Sequence, residues 1–179
     1  MRALQESETI FDLARFHACG SVITLVKASI ILAHRPFMSK QAPDPTPTPA
    51  PVAVIVLAAG LGTRMKSELP KVLHTIAGRP MIQHLLASVN KLEPERVVVV
   101  ASAGAQNVRA AVQPHPTAVQ TEQRGTGHAV LQAKQHMASF NGDVLILFGG
   151  DPLITPKTMK RLLDRRRGDD DPAVVVLGF

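Results

Sequence analysis

The residues that invite a chemical reading lie close together. Leu57-Ala58-Ala59-Gly60-Leu61-Gly62-Thr63-Arg64-Met65 closes an apolar run, and Lys71 follows a few residues later. Glycines after a buried strand permit positive φ and let backbone N–H groups approach a phosphate. Arg64 and Lys71 are cations placed where phosphoryl transfer builds negative charge. The same residues also suit a tight strand-to-helix turn with two solvated cations, and glycine spacing alone does not separate the two. Two phosphate cradles are excluded. Met65 stands where a dinucleotide fingerprint needs a third small residue, and no acidic residue closes the next apolar run at Ala101. No Gly-Lys-Ser/Thr follows the glycines, which removes a Walker-type loop.

Elements must hold these residues in place, and their pattern is that of alternating strands and helices. Val52–Leu57 is a continuous apolar run suited to a strand buried on both faces. Arg96–Ala101 holds four consecutive valines, and Asp143–Phe148 is a third strong strand. Thr117–Gln120 and Ala173–Leu177 are shorter ones. Between them, apolar spacing predicts helices over Met81–Leu92 (after Pro80), Ala105–Val112 and His128–Phe140. A fourth runs from Pro156, capped by Thr155, to about Arg167. Five strands separated by four helices imply right-handed crossovers and an α/β fold with a mostly parallel sheet.

The first 51 residues read differently. Pro43, Pro45, Pro47, Pro49 and Pro51 alternate with small or polar residues, a linker pattern with no core-forming capacity. Residues 1–51 are therefore expected to be a disordered leader and linker, and 52–179 the folded part. The uncharged stretch from Phe16 to Val26 falls short of the roughly 20 residues a spanning helix needs. Glu6, Glu8 and Asp12 replace the basic start of an export signal. A cytoplasmic location is expected, and Met38, opening a polar stretch, is a candidate true start.

Composition narrows the function classes. Of 179 residues, 45% are hydrophobic and 19% charged, a balance that argues against wholesale disorder. Trp and Tyr are absent, so stacking platforms for single-stranded nucleic acid are poorly supplied. The single cysteine, Cys19, excludes an internal disulfide and a Cys-clustered zinc site. The formal charge is +6, and most of the excess falls after residue 51. A basic surface suits a small polyphosphate as well as nucleic acid. The run Arg165-Arg166-Arg167 followed by Asp169-Asp170-Asp171 reads as a helix end with favourable dipole and then a solvated acidic turn.

The stretch LAAGLGTRMKSELPKVLHTIAGRPMIQH, together with QTEQRGTGHA at Gln120–Ala129 and the strand and loop Leu145–Ile154, resembles the sugar-phosphate nucleotidyltransferases. The likeness is greatest to the uridyltransferase half of the bacterial bifunctional enzymes that make UDP-N-acetylglucosamine, and it covers Val52 to Phe179. It implies a Rossmann-like, glycosyltransferase-A-like three-layer sandwich. It also implies a cytoplasmic transferase joining UTP to N-acetylglucosamine 1-phosphate, with Mg²⁺ and release of pyrophosphate, for cell-wall precursors. By the same resemblance, the backbone at Leu57, Ala58, Ala59 and Gly60 would hold the uridine nucleotide, and Gly62 and Thr63 would line the triphosphate. Arg64 would bind the leaving pyrophosphate, and Lys71 would stabilise charge at the α-phosphate. Gln120, Gln123, Gly125 and Thr126 would read uracil and the ribose side, since a Gln amide offers donor and acceptor together. His128 is expected to be a structural hydrogen bonder rather than a catalytic group. Phe148, Gly149 and Gly150 would form the substrate loop. No nucleic-acid or membrane partner is implied.

The chain departs from the family pattern at two places. The family reads aromatic-Gly-Asp-x-Pro-Leu after this strand, its Asp binding Mg²⁺, whereas this chain reads Phe148-Gly149-Gly150-Asp151-Pro152-Leu153. An ungapped reading leaves Gly150 at the metal position and Asp151 one residue late, on the opposite face of an extended backbone. Asp151 is then either a metal ligand, if the loop bends at Gly149-Gly150, or a turn residue before proline. Asp143 sits at the wrong end of the strand to help. The family's domain also continues beyond this chain's last residue, with further sugar-binding residues and then a trimerising acetyltransferase half. A truncated product is therefore expected, and the oligomeric state stays open. The rival functions are a non-catalytic nucleotide-binding fragment, a transferase with another phosphorylated acceptor, and a basic nucleic-acid-binding module.

Overall fold

The computed structural model describes residues 50–60, 62 and 65–178, together with the backbone of a strand β1, Ile23–Ala28. Thr63, Arg64 and the proposed start Met38 lie outside the described residues, as does all of the Pro-rich stretch before residue 50. The expected strands form as β2 (Val52–Leu57), β5 (Arg96–Ser102), β6 (Thr117–Gln120), β7 (Gly142–Phe148) and β8 (Val174–Leu177). β3 (Thr75–Ile76) and β4 (Arg79–Pro80) make a separate two-stranded hairpin. Its turn is Ala77-Gly78, both at positive φ (48° and 77°), the left-handed pair that a tight two-residue hairpin requires.

The main sheet has the order β6-β5-β2-β7-β1-β8. β6, β5, β2 and β7 pair in parallel, so their carboxyl ends meet at one edge. Helices α1 (Met81–Asn90), α2 (Gln106–Ala111) and α4 (Pro156–Arg166) cover one face, and α3 (Thr126–Gln132) the other. β2 shows how the layers are fixed. Val54 and Val56 pack against Ile82, Leu85 and Met159, whereas Ala53, Ile55 and Leu57 face Ala129, Ala133 and Phe140. Period-two alternation in a strand covered on both sides produces two apolar faces, hence three layers. In α1, Ile82, Leu85 and Val89 are fully buried, each worth roughly 1.5–3 kcal/mol of burial. No helix among the described residues is long and apolar enough to cross a membrane.

Two expectations need correction. Residues 1–51 were expected to stand outside the fold, yet Ile23–Ala28 is the strand between β7 and β8, antiparallel to both. The strand lies in a mixed run, Ile-Thr-Leu-Val-Lys-Ala, too short for periodicity to separate strand from helix. The helix expected over 128–140 begins earlier, at Thr126, and stops at Gln132. It then tightens into a 3-10 turn over Lys134–Met137. There, the Ala133 N–H bonds to the Val130 carbonyl, and the His136 and Met137 N–H groups both turn to the Ala133 carbonyl.

The basic run ends α4 and leads into an exposed acidic turn, as expected; the pairing of its arginines is what the sequence did not show. Arg166 is not solvated: it is 3% exposed and sits between Asp143 (3.4 Å) and Asp171 (2.5 Å). Arg167 Nε donates to Asp143 Oδ2 at 2.6 Å and its Nη2 to the Ala50 carbonyl at 2.6 Å. Arg165 makes a two-pronged contact with Asp170 at 2.6 and 2.7 Å, which raises the guanidinium pKa and lowers that of the carboxyl. All three arginines are engaged by carboxylates, so the run is not a free phosphate-binding patch. Asp143 is tied to this network at the amino end of β7, where it was expected to be of no use to a metal site.

Candidate active site at the carboxyl edge of the sheet

The carboxyl ends of β2, β5, β6 and β7 form the edge at which open parallel sheets bind ligands. The backbone leaving β2 is pinned there. Ala58 N–H donates to the Val100 carbonyl, and Gly149 N–H to the Leu57 carbonyl, both at 2.8 Å. Leu57, Ala58 and Ala59 are buried, and Gly60 is exposed. Gly62 has φ +61°, and its carbonyl accepts from Met65 N–H at 2.9 Å. A Cβ on Gly62 would lie 2.8 Å from Lys71 Cβ and 3.3 Å from Lys71 N. Glycine is needed at this position both for its dihedral and because the chain carrying Lys71 passes against it.

Lys71 opens a 3-10 turn, Lys71–Leu73, entered from Pro70. Val72 and Leu73 are buried in the face covered by α1, which anchors the turn and leaves the half-buried lysine at the edge. The amine comes to rest on the β7 loop. A Cβ built on Gly150 would meet Lys71 Cε at 2.9 Å, Nζ at 3.0 Å and Cδ at 3.2 Å. The loop bends at Gly149-Gly150, closed by Asp151 N–H to the Phe148 carbonyl at 3.1 Å. The bend that would let Asp151 approach the site is therefore present, and Asp151 is half-buried.

On the other side, Gln123 Nε2 donates to the Ala59 carbonyl at 3.1 Å and ties the GTGHA loop to the β2 turn. Gln120 is 3% exposed, and its Nε2 donates to the Gly125 carbonyl at 3.2 Å. Gly125 sits at φ +92° just before α3, and Thr126 begins that helix. His128 Nδ1 lies 3.0 Å from the Glu122 carbonyl, and His128 Nε2 lies 3.1 Å from Gln132 Nε2. With Nδ1 protonated, His128 donates to the Glu122 carbonyl and accepts from Gln132 at Nε2, while the Gln120 amide, 3.2 Å from Nδ1, is served by the Gly125 carbonyl; His128 thus holds the loop. The structure thus gathers Leu57 to Gly60, Gly62, Lys71, Gln120, Gln123, Gly125, Thr126 and Phe148 to Asp151 at the edge. Sequence reasoning missed the contact of Lys71 with Gly150; the only signal for it was a residue without a side chain in a loop expected to carry one.

The chemistry of this set does not suit a divalent ion held by residue 150. Gly150 supplies no side-chain donor, and a lysine amine lies in the space its side chain would enter, so a metal there would face a cation. Among the described residues, no group of three or more His, Cys, Asp or Glu side chains is gathered to hold a metal. A cleft of about 460 Å³ does exist, but at the opposite edge of the sheet, lined by Glu93, Arg96, His115 and His136. Burial lowers the His115 pKa there. Arg96 is already committed, donating to the His136 and Ala138 carbonyls and stacking 5.4 Å from the Phe140 ring centroid. The glycine turn and Lys71 belong to the carboxyl edge, which makes that edge the candidate site.

Known proteins share this fold and sequence pattern. The family model of the MobA-like NTP transferase domain matches residues 54–178. A bifunctional protein GlmU from Paramagnetospirillum magneticum is 59% identical over 122 residues, 68% of this chain and 27% of the relative. Other relatives bearing that name are 44–55% identical. The chain thus spans about a quarter of the length of the curated relatives it matches. A nucleotidyl transferase from Methanothermobacter thermautotroptrophicus superposes with TM-score 0.53 at 19% identity, over 63% of this chain and 56% of that one. Rv0371C of Mycobacterium tuberculosis, solved as a complex with manganese, gives TM-score 0.53 at 20% identity, over 64% and 58%. At those identities the likeness is one of fold. On the match of its α/β domain, the chain belongs to the MobA-like NTP transferase family.

Proposed function

We propose that the chain carries the nucleotide half of a uridylyltransferase site that makes UDP-N-acetylglucosamine from UTP and N-acetylglucosamine 1-phosphate. The observation that carries the reading is the convergence of the Gly60–Gly62 turn, Lys71 and the Gln123 tie to Ala59 at the carboxyl edge. The sequence resemblance and the relatives named bifunctional GlmU support it. In this reading a phosphate oxygen of the sugar 1-phosphate attacks the α-phosphorus of UTP. A new P–O bond forms, the bond to the bridging oxygen breaks, and pyrophosphate leaves with the electron pair. The protein forms no covalent bond; it positions and stabilises charge. The β2 turn would hold the nucleoside through backbone groups, and Lys71 would offset charge near the α-phosphate. Thr63 and Arg64 would complete the triphosphate side. Mg²⁺ belongs to the reading only as the counter-ion that a nucleoside triphosphate brings with it, and the cytoplasm is where such a substrate is available.

Acceptor-dependent release of pyrophosphate tests this directly. The full chain should release pyrophosphate from UTP with N-acetylglucosamine 1-phosphate and not with ATP in place of UTP. Release with a different sugar phosphate instead would reassign the acceptor. A folded chain that binds UTP without any turnover would favour a non-catalytic nucleotide-binding fragment, a second reading motivated by Gly150. No binding and no turnover would overturn both.

A further inference from the structure

The contact between Lys71 and Gly150 deepens the reading of this edge as a uridine-nucleotide site, and rests on that reading. We propose that the Lys71 amine, admitted by Gly150, stands in for the protein-held divalent ion, so that the site binds the triphosphate with little gain from Mg²⁺. Three observations carry this. A Cβ at position 150 would meet three consecutive atoms at the end of the Lys71 side chain, between 2.9 and 3.2 Å away. The lysine backbone is fixed by Gly62 on one side and by buried Val72 and Leu73 on the other, so the amine is delivered to that point by the fold. Gly150 itself offers neither a carboxylate to hold a cation nor bulk to keep the lysine away. A lysine is a compact point charge with three donors, well suited to phosphate oxygens. A metal ion at the same point would be repelled by it.

The proposal separates two positions that the loop keeps distinct. Residue 150 lies under the amine, and Asp151 N–H closes the bend that follows it onto the Phe148 carbonyl. A carboxylate restored at 150 would pair with Lys71 and withdraw it from a ligand. The lysine atoms it would displace are the far end of a flexible side chain, so the substitution changes charge more than it disturbs the backbone.

Calorimetry of UTP binding to the full chain, in EDTA and in Mg²⁺, tests this with three variants. The wild type should bind with affinities that agree within about threefold in the two conditions, since the charge is supplied by the protein. Lys71→Met should lose roughly tenfold or more in both. Gly150→Asp should lose about tenfold in EDTA and regain most of it in Mg²⁺. Gly150→Ala, which adds bulk without charge, should weaken binding equally in both. Circular dichroism and thermal unfolding confirm that each variant folds. A wild type that binds about tenfold or more tightly in Mg²⁺ would overturn the proposal while sparing the nucleotide site. So would a Lys71→Met variant that binds like the wild type. A folded wild type that binds no UTP in either condition would overturn the uridine-nucleotide reading itself, and this inference with it.

Discussion

Asp143 is 2% exposed and takes the charge of Arg166 at 3.4 Å and of Arg167 at 2.6 Å. Removing one partner of a buried pair leaves the other uncompensated, at a cost of about 3–5 kcal/mol. Asp143→Asn should therefore lower stability by about that amount, read as a fall in the denaturation midpoint at unchanged m-value. A change below about 1 kcal/mol would mean that the arginines find other partners. The residue scale is also where sequence and structure part most. The glycine turn and Lys71 were singled out by residue type and spacing, and Gln120 and Gln123 by the family resemblance. The Asp143–Arg166 pair was not, because its members are far apart in the chain and periodicity carries no pairing. Topology explains it afterwards: α4 runs back along β7, so the helix end returns to the strand's beginning. Arg64 and Thr63, named from the sequence, lie outside the described residues, and their roles stay with the proposal.

Among the elements, β1 bears most on the architecture. Among the described strands, β8 is hydrogen-bonded in the sheet only to β1, with Leu25 opposite Leu145 on one side and Val175 on the other. Flanked on both sides, β1 has no position at which proline can be admitted without losing a ladder bond. Leu25→Pro should strip amide-exchange protection from Val174–Leu177 while leaving Arg96–Ser102 protected. If Val174–Leu177 stayed as protected as Arg96–Ser102, β1 would not be what holds β8. The parallel strands were readable from their apolar runs because strands covered on both faces need no alternation. β1 was overlooked because a six-residue run broken by Thr24 and Lys27 does not reveal what it pairs with. The Ala77-Gly78 hairpin was a local signal, two residues able to take positive φ between short extended pairs, and it passed unread.

For the whole molecule, the parallel order of β6, β5, β2 and β7 places every strand end that matters on one side. The arginine network lies at the other, around the start of β7. The three arginines that end α4 are balanced by Asp143, Asp170 and Asp171, so this network adds no net charge, and Lys71 lies apart from it at the carboxyl edge. That separation is why the proposed nucleotide site is placed at the carboxyl edge and not at the arginine run. Backbone amide chemical-shift mapping of the full chain during UTP titration tests it most directly. Shifts should cluster at Ala58–Gly60, Gly62, Lys71, Gln123 and Gly149–Gly150, and ATP at the same concentration should move them less. Shifts confined to the cleft around Arg96, His115 and His136, or none at all, would contradict the assignment of this edge as the nucleotide site.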